Sequence, residues 1–220
     1  MAGALVVFEG VEGAGKSTQV ARLVERLRAS GREVLSLREP GGTSLGDAVR
    51  GLLLDPSREI PAPAEALLFL ASRATLMAQV VQPALARDAI VVLDRFFLST
   101  YAYQVAGRGL DAATVRAANL LAIGDVRPDV TCVLELPVAE GMARANRRGA
   151  TDRIEQAGSE FHQRVADAFR RAVRPDWQAE HPECGRIVSV DARGTADDVA
   201  GRVASILAEH LPDLRGVLQG

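Results

Sequence analysis

Gly10-Val11-Glu12-Gly13-Ala14-Gly15-Lys16-Ser17 fits G-x-x-x-x-G-K-[ST], the pattern of a phosphate-binding P-loop. It stands in the context the motif requires. Leu5-Val6-Val7-Phe8 before it is a short apolar run, rich in β-branched residues, that reads as a buried parallel strand. After it, Val20, Leu23, Val24 and Leu27 recur at i, i+3, i+4 and i+7, the apolar face of a helix. Glycines at 10, 13 and 15 let the backbone curl so that its N–H groups, with the positive end of the helix dipole, face one anion. Lys16 then supplies a mobile charge for the β- and γ-phosphates and Ser17 a hydroxyl for Mg²⁺. By composition such a match arises by chance in roughly 1% of chains of this length, and the flanking strand and helix lower that further.

Outward from the loop the chain alternates strands and helices. Glu33–Leu37 follows Gly31, a C-cap signal, and makes a second strand of a βαβ unit, so the sheet is parallel. Arg38-Glu39-Pro40-Gly41-Gly42-Thr43 lies at that strand's carboxyl end, where open α/β sheets bind ligands, and reads equally as a plain turn. Helices are predicted over 45–54 and 64–86, the second with Leu67, Leu68, Leu70, Ala71, Ala74, Leu76 and Met77 on its apolar side. In it Phe69 and Arg73 share a face. On the residues alone, a core Phe69 and a solvated Arg73 are favoured over a clamp for a planar group. Ile90-Val91-Val92-Leu93-Asp94 is the Walker B pattern, a buried strand that delivers a carboxylate to the Mg²⁺ shell beside the P-loop. Arg95 follows it into the same crevice, suited to a second phosphate.

Residues 97–124 read as mostly helical, broken at Gly107-Arg108-Gly109. Strands over 130–136 and 187–191 and a helix over 196–210 capped by Thr195 complete the chain. Arg144, Arg147, Arg148 and Arg153 lie between them, either a solvated helix face or a mobile cationic lid over about 142–158.

Composition bounds the rest. Two hundred and twenty residues with no linker or low-complexity break favour one domain, 1–220, with core enough to need no disulfides. The net charge of −2, with both signs interspersed, gives no electrostatic case for nucleic acid. Cys132 and Cys184 suggest no disulfide framework, and His162, His181 and His210 read as surface or helix-end residues rather than a metal cage. With no signal peptide and no span of about 18 apolar residues, a cytoplasmic, non-membrane protein is expected.

These motifs together resemble the thymidylate kinases, over nearly the whole chain and more weakly after about residue 175. Most diagnostic are Arg38–Thr43, Asp94-Arg95 with Ser99-Thr100, and Gly124-Asp125 with Arg127-Pro128-Asp129; Asp152-Arg153-Ile154-Glu155 extends the match. The resemblance implies a P-loop fold of the nucleoside-monophosphate kinase type, α/β, with a five-stranded parallel sheet flanked by helices on both faces and a lid. It implies ATP at Gly10, Val11, Glu12, Gly13, Ala14, Gly15, Lys16, Ser17 and Thr18, Mg²⁺ at Ser17 and Asp94, thymidine monophosphate as acceptor, and a homodimer. Phe69 would stack on thymine, Arg73 bond its carbonyl edge, Thr100 lie near N3 and Tyr103 near the deoxyribose. Pro40 would wall the base pocket beside Glu39 and Ser99. Arg95 would hold the acceptor phosphate, with Glu12 facing that phosphate or its metal shell. One branch of the family carries arginine at the position of Gly13. This chain is similar instead to the bacterial branch with the catalytic arginine in the lid, where Arg148 fits best beside Arg147 and Arg153. Phe96 stands where many relatives have Tyr or His.

Two other readings compete with transfer of the γ-phosphoryl to thymidine monophosphate. A kinase for another base would differ at Arg73 and Thr100. A nucleotide-driven switch would not need an acceptor site, and no N-K-x-D guanine-reading motif is present.

Overall fold

The computed structural model describes residues 3–147 and 152–219. At its centre is β1 (Ala4–Gly10), buried along its whole length. Burial on both faces is why Leu5–Phe8 is continuously apolar rather than alternating. The sheet is parallel, with β2 (Val34–Arg38), β3 (Ile90–Asp94), β1, β4 (Val130–Glu135) and β5 (Arg186–Asp191) in the spatial order β2-β3-β1-β4-β5. Phe8 pairs with Asp94 and Arg38 with Asp94 in register, so the carboxyl ends of β1, β2 and β3 share one edge.

Two groups of helices cover the sheet. The first contains α1 (Lys16–Ala29), α10 (Ala196–His210) and α11 (Arg215–Gln219), packed on one another. Thr195 and Asp198 form a reciprocal capping box at the start of α10, as the sequence signals. The second contains α2 (Ser44–Leu54), α3 (Ala62–Leu76), α6 (Ala112–Ile123) and α8 (Ser159–Ala172).

The helix expected over 64–86 forms with a change of pitch. α3 passes through a π turn, Met77–Val81, into α4 (Gln82–Leu85). Pro83 has no N–H for the carbonyl one turn back, and its ring crowds that carbonyl. The wider turn just before it absorbs the mismatch. The faces also differ from expectation: Leu67 is 64% exposed, whereas Arg73 is 2% exposed. Contrary to the expectation of no such span, the run Ala62–Leu85 is long and apolar enough to cross a bilayer by length and mean hydropathy. Here it packs on α2 and α6 and carries the buried polar residues Glu65, Ser72 and Arg73. A second π turn, Tyr101–Gly107, follows the single helical turn α5 (Phe97–Thr100) and buries Tyr103 and Gln104.

Candidate functional site

The loop leaves β1 through Gly10 and enters α1 at Lys16, with Gly13 and Gly15 both in left-handed conformation (φ +71° and +92°). At Gly13 the requirement is also steric. A Cβ there would stand 2.0 Å from the carbonyl oxygen of Gly141 in α7 (Val138–Asn146). An arginine inside the loop therefore has no room at this position. Lys16 is buried, and its Nζ donates to the carbonyls of Gly10 (3.0 Å) and Val11 (2.8 Å). Burial, helped by the nearby charge of Arg95, pushes its pKa down to about 8. Ser17 Oγ donates to Asp94 Oδ2 at 2.6 Å, so the loop and the end of β3 meet as the two motifs predict.

Beyond Asp94 the chain turns sharply, with Arg95 at φ +71°, an unusual conformation for a residue with a side chain. Glu9, fully buried at the end of β1, holds the turn. It accepts from the amides of Phe96 and Ser99 (2.9 Å each) and from the Ser99 hydroxyl (2.6 Å). Burial pushes the Glu9 carboxyl up in pKa, against the pull of Arg95 and of these bonds. Arg95 projects into the crevice, where it donates to Gly10 O (3.1 Å) and Glu12 Oε1 (3.0 Å) and lies 4.9 Å over the Tyr103 ring. The Tyr103 hydroxyl donates to the same Glu12 oxygen at 2.6 Å. Burial opposes the Glu12 charge, but Arg95 and Lys16 outweigh it and hold the carboxyl below its usual range.

At the far end of the crevice lie Phe69, half-buried, and Arg73. A solvated Arg73 is excluded. Its Nε donates to Glu39 Oε2 (2.6 Å), Nη1 to Thr100 Oγ1 (2.7 Å) and to Asn119, and Nη2 to the Phe96 carbonyl (2.9 Å). A guanidinium has five N–H donors, so one on Nη2 remains uncommitted among the described residues. Phe96 serves Arg73 with its ring as well, 5.5 Å from the guanidinium carbon. Burial pushes Glu39 up to about 7 despite that guanidinium. Pro40, joined to Glu39 by a cis peptide, and Thr100 complete this end.

The structure adds Arg50 and Gln104 to the crevice, which motif reading gave no role, and brings Asp152, Ile154 and Glu155 of the quoted motif to its wall. Asn119 is the one polar residue in the last part of α6, 117–123, and is fully buried; that local isolation is the sequence signal it carries. Of the lid arginines, Arg148 lies outside the described residues. Arg153 is tied down, with Nε on the carbonyl of Leu53 (2.9 Å) and a contact to Glu65 at 2.7 Å. Arg147 is exposed and, among the described residues, bonds a carbonyl of its own helix. Arg144 instead reaches a second depression on the other side of the P-loop, which it lines with Gly15, Thr18, Gly194 and Thr195. His162 overturns the expectation of a surface histidine, being 3% exposed on α8.

Comparison with known proteins agrees with this geometry. The family model described as thymidylate kinase matches residues 8–181. A thymidylate kinase of Pseudomonas fluorescens is 47% identical over 219 residues, 98% of this chain and 100% of the relative. One from Alcanivorax borkumensis is 44% identical over 212 residues, 95% of this chain and 98% of the relative. The crystal structure of thymidylate kinase from Ehrlichia chaffeensis superposes with a TM-score of 0.73 at 29% identity, covering 94% of this chain and all of that one. With the P-loop, the Walker B carboxylate and an adjoining arginine-ended crevice in one sheet edge, the chain belongs to the thymidylate kinase family.

Proposed function

We propose a division of roles for the reaction that this family carries out, the ATP-dependent phosphorylation of thymidine monophosphate to the diphosphate. The observation that carries it is the position of Arg95, between the Lys16 end of the P-loop and the crevice that ends at Arg73. A phosphate on Arg95 would face a triphosphate in the loop Gly10–Thr18, with the donor's adenine leaving on the opposite side toward Arg144 and Gly194. Thymine would stack on Phe69 and take the free Nη2 hydrogen of Arg73, with Thr100, Pro40 and Tyr103 shaping the pocket. Glu39 and Ser99 hold Arg73 and the Arg95 turn rather than facing the base.

The acceptor is already an anion, so alignment and charge neutralisation dominate over base catalysis. Lys16 and Arg95 supply charge from this site, and Arg148 from the lid, an arginine of this kind being worth ~10³ or more in rate. Ser17 and Asp94, one hydroxyl and one carboxylate, suit Mg²⁺, which keeps several waters and is otherwise held by phosphates. Bound there, the ion would neutralise charge between the β- and γ-phosphates.

The chain is read as one kinase domain over 1–220 with its lid over about 142–158, cytoplasmic, without nucleic-acid or membrane partners, and acting as a homodimer. Leu67 on α3 and Leu121 on α6, 64% and 87% exposed, stand on helices packed side by side and support such an interface.

A coupled ADP-release assay with ATP, Mg²⁺ and each nucleoside monophosphate tests the reading. Thymidine monophosphate is expected as the preferred acceptor. Preference for another base would remove the Phe69, Arg73 and Thr100 roles. ADP release independent of any acceptor would favour the nucleotide switch.

A further inference from the structure

Behind the phosphate loop two buried polar atoms face each other with no hydrogen-bond partner among the described residues, Glu12 Oε2 and His162 Nδ1. They are 3.7 Å apart. A buried polar atom left unpaired forfeits its hydration without a compensating bond. Two that stand less than about 1 Å beyond bonding distance describe a contact held open. The contacts of Glu12 with Arg95 and Tyr103 are both made through its other oxygen, Oε1.

His162 is placed to connect two walls of the site. Its Nε2 lies 3.2 Å from the carbonyl of Glu155, in the turn that lines the acceptor crevice, and its Nδ1 faces the P-loop carboxylate. A carbonyl only accepts, so the hydrogen on Nε2 belongs to that bond. When an acceptor phosphate reaches Arg95, it shares the guanidinium with Glu12, and two anions on one cation repel. A donor on the far side of Glu12 relieves this by drawing the carboxylate away from the phosphate.

We propose that His162 is a positioning residue for acceptor binding: in the substrate-bound enzyme its Nδ1–H bonds Glu12 Oε2 and holds that carboxylate off the phosphate on Arg95. With Nε2 on the carbonyl of Glu155, the ring then makes one bond to each wall of the site. The proposal rests on the acceptor phosphate lying at Arg95.

Replacement of His162 in the full chain tests it. In His162→Asn, Nδ2 falls near the place of Nδ1, whereas in His162→Gln and His162→Phe no donor does. His162→Gln and His162→Phe are expected to raise KM for thymidine monophosphate about five- to twentyfold, with kcat within threefold of the parent and KM for ATP unchanged. His162→Asn should stay within threefold throughout. Because the Asn–Gln contrast is between two polar side chains, it stands even if His162→Phe fails to fold. Equal impairment of Asn and Gln, or a parental KM in His162→Gln, would overturn the proposal. In a Glu12→Gln background, calorimetry should find that His162→Gln no longer weakens binding of the monophosphate; an undiminished effect would also overturn it. If Arg95→Ala binds the monophosphate normally, the underlying placement of the phosphate fails. If Arg95→Ala is defective while His162→Gln is normal, only the role of His162 falls.

Discussion

Lys16 is a buried cation that donates, among the described residues, to two backbone carbonyls, and that arrangement makes its charge depend on pH in a reachable range. Burial favours the neutral amine, which lowers the pKa to about 8. Below that pH the ammonium is ready for a polyphosphate. Above it, the free enzyme loses the charge, while bound phosphates favour it. The ratio kcat/KM for ATP, which reports the free enzyme, is therefore expected to fall about tenfold per pH unit above about 8, with kcat holding to higher pH. A profile of kcat/KM that stays flat to about pH 9.5 would show that Lys16 keeps its proton. Residue identity alone was a poor guide to such environments. Lys16 and Ser17 were legible because their spacing is fixed by the loop they belong to. Arg73 was not, since helical spacing shows which face it shares with Phe69 but not that Glu39, Thr100, Asn119 and Phe96 converge opposite that face. His162 was missed for the same reason, its counterpart being Glu12 in the N-terminal loop.

Among the elements, the P-loop and α7 meet backbone to backbone at Gly13 and Gly141. A Cβ at Gly141 would stand 2.4 Å from the carbonyl of Glu12, the reverse of the clash at Gly13. Backbone against backbone leaves nothing that can rotate away. Gly141→Ala should therefore cost about 1–3 kcal/mol as overpacking and raise KM for ATP, read by denaturant melts and initial rates. Gly201→Ala in α10, where a Cβ meets only open space, is the control and should be neutral or stabilising by up to about 1 kcal/mol. An equal response of the two variants would show that the contact places no constraint on the loop. The strands and the limits of α2, of the helix ending at Leu85 and of α10 could be read from the sequence, because apolar runs, helical periodicity and caps such as Thr195 are local signals; α8 was not assigned. The two π turns could not be read. They change the backbone pitch within an unbroken apolar stretch, and only Pro83 hints at one of them.

The whole molecule presents its exposed leucines on α2, α3 and α6, away from the crevice. If that face joins two copies, Leu121→Glu places charges at the interface and should give a monomer by sedimentation. Fold stability should stay within about 0.5 kcal/mol, as for other exposed positions. A dimer that survives the substitution would put the interface elsewhere. The sheet order has a consequence of a different kind, for how the protein is made. β1 leaves the ribosome first, yet its two neighbours are β3 and β4, and the second of these ends at Glu135. At ~5–20 residues per second, β1 waits about 4–17 s before β3 is complete at Asp94 and can pair with it. During that interval the P-loop is already synthesised but has no Asp94 partner and no Gly141 to shape it. Nucleotide binding at a completed site thus follows synthesis of β3, and until then the nascent β1 is a natural client for chaperones that shield extended apolar segments.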